Sequence, residues 1–107
     1  MAFTKVCKIG DIIPGTGVCA LVAGEQVAIF RPTKAEEVLA ISNTDPCFQS
    51  NVLSRGLIVE HQDELWVASP LKKQRFNLIT GVCMEDENFN VKAYKARVTK
   101  GAVEISA

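Results

Sequence analysis

Short apolar runs separated by turn residues recur along the chain, and this rhythm predicts strands rather than helices. "TKVCKI" (4–9) reads as a first strand. "GVCALV" (17–22) and "QVAIFR" (26–31) flank "AGE", a glycine-containing hairpin turn. "EVLAIS" (37–42) carries Val38, Leu39, Ala40 and Ile41 in succession, which suits a largely buried strand. "TDP" then opens a loop that runs to Leu53. "GLIVE" and "ELWVAS" surround "HQD", a second hairpin, and "QRFNLIT" leads into a turn at Gly81 with "VCME" beyond it. The last pair, "KAYKARVT" and "AVEIS", is joined at Lys100-Gly101. In the former, Tyr94, Ala96 and Val98 alternate with Lys95 and Arg97, so one face is buried and the other wet. One segment has helical composition: "TKAEEVLA", with Thr33 as an N-cap. It is too short to be stable alone, so at most one helical turn precedes the strand. The prediction is an all-β antiparallel sandwich or barrel.

Composition narrows the functional classes. The 107 residues are expected to form one domain, residues 1–107, able to bury about two-thirds of its unfolded surface. Lysine plus arginine equals aspartate plus glutamate, 12 against 12, so the chain lacks the broad positive field that nucleic acid requires. The longest apolar-rich stretch, "GVCALVAGEQVAIF", is interrupted by Glu25 and Gln26, which argues against a membrane span. "MAFTKVCKIGD" has no apolar core of signal-peptide length, and the expected compartment is the cytoplasm. Four cysteines stand at 7, 19, 47 and 83 with no Cys-x-x-Cys spacing, which weakens a zinc or redox-motif reading. Without an export signal a disulfide framework is not expected. Cys7 and Cys19, inside apolar runs, read as small buried hydrophobes.

Chemistry enters with "SPLKKQRFNLITG", residues 69–81. Pro70 stands second, Phe76 follows Ser69 by seven places, and Thr80-Gly81 closes a turn. This frame resembles the second ligand loop of Rieske iron–sulfur domains, in which a Cys, a Pro, a His and a Gly open the loop. "LSRG", Leu53 to Gly56, resembles the end of the first loop, and the hairpin "LIVEHQDELWVAS" separates the two in the order of that fold. A Rieske [2Fe–2S] centre needs two cysteine thiolates on one iron and two imidazoles on the other. The chain has a single histidine, His61, so it cannot furnish the pair. At the second loop the Cys place holds Ser69 and the His place Lys72, whose ammonium has no free lone pair. At the first loop Pro46 and Phe48 fall on the Cys and His places, or Cys47 and Gln49 if one residue is inserted. The resemblance therefore implies a Rieske-like fold without its cluster.

"VLSRGLI", "WVASPLKKQRFNL" and "CMEDE" are similar to the small subunit of the bacterial NAD(P)H-dependent assimilatory nitrite reductase. That resemblance implies an accessory subunit with no catalytic residue and no cofactor of its own, in a heteromer that reduces nitrite to ammonium. It also implies a large subunit carrying FAD, a siroheme and a [4Fe–4S] cluster. Lys72, Lys73 and Arg75 are expected to form a basic loop tip, either solvated or docked on an acidic patch of that partner. Phe48 and Leu71 are expected near the vacated cluster position, closing the gap and partly exposing an apolar patch; the alternative for Phe48 is the core. His61 reads as an exposed turn residue, "MEDE" (84–87) as a solvated acidic turn, and Trp66 as core. Two other classes stay open: a stand-alone interaction module on the same scaffold, and an electron carrier binding metal atypically through the four cysteines.

Overall fold

The predicted hairpins form and assort into three antiparallel sheets. A computed structural model describes residues 2–106. Its strands are β1 (Thr4–Lys8), β2 (Thr16–Val22), β3 (Glu25–Arg31), β4 (Leu39–Ser42), β5 (Thr44–Asp45), β6 (Ser50–Asn51), β7 (Leu57–His61), β8 (Glu64–Ala68), β9 (Arg75–Asn77), β10 (Ala93–Thr99) and β11 (Ala102–Ser106). Six of them make one sheet in the order β1-β11-β10-β4-β3-β2. β5 and β6 form a small hairpin, and β7-β8-β9 a three-stranded sheet. Three connections are two-residue loops with positive φ at both positions: Ala23-Gly24, Gln62-Asp63 and Lys100-Gly101. These are type I′ turns, whose twist matches that of the flanking strands.

Period-two alternation along β3 builds two cores from one strand. Val27 and Ile29 point into a cluster with Ile12, Val22, Val38, Ala40, Val103 and Ile105. Ala28 and Phe30 point the other way, against Leu53, Val67, Phe76, Leu78 and Cys83. β4 divides likewise, Ala40 to the first cluster and Ile41 to the second. Val6 and Cys7 of β1 and Val18 and Ala20 of β2 pack on the first cluster, so the six-stranded sheet curls until its two edges share a core. The second cluster lies between that sheet and β7-β8-β9, and it carries the loops of interest.

Several segments differ from the expected pattern or complete it. Residues 33–38 form no helical turn. The Arg31 guanidinium donates to the carbonyls of Lys34 (2.7 Å), Ala35 (3.3 Å), Ile12 (3.1 Å) and Ile9 (3.2 Å), and so fixes this segment as an irregular connection. "VCME" is not a strand. Beyond a single bridge between Phe76 and Cys83 the ladder stops, because the Glu85 carboxylate takes the Arg75 N–H at 2.7 Å and the Asn90 side chain takes the Cys83 N–H at 2.9 Å. The loop from "TDP" to Leu53 contains the β5–β6 hairpin. Cys19 is exposed and Cys7 half-buried: in β2 it is Val18, Ala20 and Val22 that face the core, and an apolar run does not by itself say which face that is. Trp66 is core as expected, and His61 is exposed.

Gly56 ends the "LSRG" turn where a Cβ would run into the carbonyl oxygen of Ala68 and the Val67 side chain. Gly81 has φ +79° and its Cβ position is filled by the Val91 carbonyl. Glu25 joins the turn after β2 to β10: the Tyr94 hydroxyl donates to it at 2.7 Å and Lys92 Nζ at 3.1 Å. The Tyr94 bond first, then Lys92, lowers the Glu25 carboxyl below its ordinary value of 4.5.

Two outcomes follow from these contacts. Gly56→Ala should lower stability by about 2 kcal/mol or more, the cost of displacing backbone in a packed region, read as a fall in thermal midpoint. For Glu25 the folded carboxyl is the stronger acid, so its stabilisation is present above pH 4.5 and is lost as pH falls below that value. Glu25→Gln should therefore be less stable than the parent at pH 7, and the gap should close on acidification, as measured by urea unfolding across pH.

Candidate functional site

Two loops meet at one end of the molecule, and a carboxyl group ties them. The first, residues 46–49, joins β5 to β6. Asp45 closes β5, its Oδ1 accepts the Cys47 N–H at 2.8 Å, and its carbonyl accepts the Gln49 N–H at 2.8 Å. Gln49 takes a left-handed φ of 56° to turn back into β6. This is the local hydrogen bonding by which an Asp before a turn competes with regular structure. The second loop, residues 69–74, joins β8 to β9. Lys73 donates to the Ser69 carbonyl at 3.0 Å, Ser69 donates to the Gln74 carbonyl at 2.9 Å, and Lys73 has φ 61°. The Ser69 hydroxyl accepts the Leu71 N–H at 3.3 Å.

Between the loops, the Ser69 hydroxyl donates to Asp45 Oδ2 at 2.5 Å. Gln74 Nε2 spans both Asp45 oxygens, at 3.2 and 3.4 Å. Asp45 is fully buried and Ser69 nearly so. With the Cys47 N–H, three donors converge on one buried carboxyl group, which is the condition for burying it without a large penalty. Below lies the second core. The "LSRG" turn is held from the same side by Asn43, which is buried and accepts the Ser54 N–H at 2.8 Å and, on its backbone carbonyl, the Leu53 N–H at 3.1 Å.

A [2Fe–2S] cluster of the Rieske type does not fit these residues. Ser69, at a cysteine place, offers a hydroxyl already engaged with Asp45. Lys72, at a histidine place, is an exposed ammonium. On the first loop Cys47 is half-buried and Phe48 is turned outward. The single imidazole, His61, is at the far end of the β7–β8 hairpin, opposite the end that feeds the second loop. The four cysteines are also dispersed, on β1, on β2, in the first loop and after β9, and among the described residues no three ligand-type side chains stand together.

The expected partner-binding residues divide. Phe48 is 47% and Leu71 46% exposed, so Phe48 is not in the core. Lys72 and Lys73 are exposed at the tip of the second loop. Arg75 instead begins β9, and its Nε donates to Glu85 at 2.8 Å, which neutralises it locally. Burial works against the Glu85 charge, but the Arg75 N–H and guanidinium outweigh it and hold that carboxyl below the ordinary range. Asp45 and Gln74 were not anticipated from the sequence. The one signal for Asp45 was chemical: a serine standing where a ligand is missing needs an acceptor once its hydroxyl is buried. Arg55, within "LSRG", is exposed and joins Lys73 in lining a cavity of about 270 Å³.

Residues 2–106 match a family model described as a Rieske-like [2Fe-2S] domain. The nitrite reductase (NADH) small subunit of Salmonella typhimurium is 69% identical over 101 residues, covering 94% of each chain. The solution structure of the E. coli protein NirD superposes with a TM-score of 0.90 at 65% identity, over 97% of this chain and 94% of that one. A nitrite reductase [NAD(P)H] large subunit from Klebsiella oxytoca also matches, 35% identical over 98 residues, which are 92% of this chain but 10% of that protein. No helix among the described residues is long and apolar enough to cross a membrane. A fold built around two loops, a serine at a ligand place hydrogen-bonded to a buried carboxyl, and identity along nearly the whole length lead to one family: the chain belongs to the Rieske-like domains and, among them, to the small subunits of NADH nitrite reductase, an oxidoreductase.

Proposed function

We propose that this chain is the accessory, cofactor-free subunit of a cytoplasmic NAD(P)H-dependent nitrite reductase and acts by docking its two-loop end on the large subunit. FAD, siroheme and a [4Fe–4S] cluster belong to that partner, where nitrite becomes ammonium. The observation that carries this reading is the Asp45–Ser69–Gln74 group, in which Ser69, at a ligand place, is hydrogen-bonded to Asp45 and both loops are held in fixed relation. A loop pair rigidified in this way loses little freedom on binding, which favours a docking surface. Phe48, Leu71, Lys72 and Lys73 supply its exposed apolar and cationic groups, with Arg75 and its Glu85 pair beside them. Residues 1–107 act as one Rieske-like domain.

The mechanism follows from what the surface can do. This chain offers binding energy, and a partner shifts a conformational equilibrium only by its differential affinity for the two states. Ordering the large subunit, or shaping access to its siroheme, is work of that kind. The occurrence of a similar sequence inside a large-subunit chain supports a side-by-side arrangement, since tethering raises the local concentration of a domain that must dock.

Nitrite-dependent NAD(P)H oxidation by the large subunit should rise when this chain is added; an unchanged rate would refute the accessory role. Asp45→Ala leaves buried donors on Ser69, Gln74 and Cys47 without an acceptor and should cost about 3 kcal/mol of stability by denaturant titration. Phe48→Ala, being a change at an exposed site, should lower stability by less than about 1 kcal/mol while weakening complex formation. A large stability loss with intact binding would remove Phe48 from the docking surface.

A further inference from the structure

The cavity beside the second loop is lined by Arg55, Gly56, Leu57, Ala68, Ser69, Pro70 and Lys73. Its walls are apolar. Leu57 is 74% exposed, and Pro70 and Ala68 add aliphatic surface. Ser69 offers it nothing polar, because its hydroxyl already donates to Asp45 and accepts from Leu71. The remaining polar groups are two cations, Arg55 and Lys73, and neither makes a side-chain hydrogen bond or ion pair among the described residues. The ion pairs formed there use Arg75, Lys92 and Arg97 instead.

Charge around the cavity is one-sided. Residues 46–56 and 69–74 contain Arg55, Lys72 and Lys73 and no acidic residue; the adjoining Asp45 is buried. Because the whole chain is balanced, 12 cations to 12 anions, this end is positive at the expense of the rest. The size of the cavity, about 270 Å³, falls just below the ~300–1,000 Å³ of small-molecule sites. It suits one or two side chains better than a nucleotide. Arg is favoured where a carboxylate is gripped by a planar fork, and an apolar floor with a cationic rim selects an apolar residue flanked by an acidic one.

We propose that the Arg55–Lys73 cavity is the receptor for an acidic–apolar segment of the large subunit, its carboxylate on Arg55 and Lys73 and its apolar side chain against Leu57, Ala68 and Pro70. This rests on the docking role given above and adds its specific lock: Leu71 and Lys72 continue the same loop, and Phe48 belongs to the loop that Asp45 ties to it. Arg55 and Leu57 thereby become specificity residues of the interface.

The test is affinity for the intact large subunit, measured by titration of this chain at low and high salt. Arg55→Glu and Lys73→Glu should each weaken binding about ten-fold or more and flatten its salt dependence, with unchanged thermal midpoints because both side chains are exposed and unpaired. Lys95→Glu, an equal charge change on the exposed face of β10, should bind within about two-fold of the parent. Parent-like binding by both cavity variants overturns the proposal and leaves the docking role standing. Equal weakening by Lys95→Glu overturns it too, reducing the effect to net charge. Failure of the parent to bind removes the docking role itself and the cavity with it.

Discussion

The buried carboxyl of Asp45 is the interaction on which this end of the molecule depends. It stands at the end of β5, where the first loop begins, and receives donors from the second, so the relative position of two segments 24 residues apart is set by one side chain. In a Rieske centre the metal cluster makes that connection covalently, through ligands from both loops. Here hydrogen bonds make it. Each is worth only about 1 kcal/mol net, but leaving its buried partners unsatisfied costs more, which gives the arrangement its uniqueness.

The tie works because the floor beneath it is rigid. β3 and β4 are buried on both faces and belong to both cores, so the three-stranded sheet with its loops cannot shift without disturbing the six-stranded one. Gly56 brings the "LSRG" turn against β8 at backbone contact, and Asn43 accepts the N–H groups of Leu53 and Ser54. The two loops of the Rieske-like fold are thus held in a fixed relation and presented as a surface. That surface is apolar and cationic, in a protein whose total charge is zero.

The relation to the larger Klebsiella oxytoca protein gives this surface a context. A similar sequence there occupies a tenth of a single chain, where a covalent link supplies proximity. A separate subunit must obtain its proximity from contacts alone, which places a premium on shape and charge at the interface. In the proposed docking, the unpaired guanidinium of Arg55 and ammonium of Lys73 beside an apolar cavity are the groups that meet that demand.

By itself, the sequence determined the strands other than β5 and β6, the three tight hairpins and the impossibility of a two-histidine centre. Each rests on short-range pattern or on counting: alternation along "KAYKARVT", turn residues at Lys100-Gly101, one imidazole in the whole chain. Tertiary structure decided what depends on long-range pairing. Which face of β2 turns inward, and so whether Cys19 is buried, follows from sheet curvature rather than from an apolar run. Arg31 stops a helix-like segment by reaching carbonyls on both sides of its own strand. Glu85 takes Arg75 out of the loop tip. Asp45, which looks in the sequence like an ordinary turn former before a proline, becomes the keystone only once Ser69 and Gln74 are folded onto it, because a hydrogen bond between distant residues leaves no periodic trace in the chain.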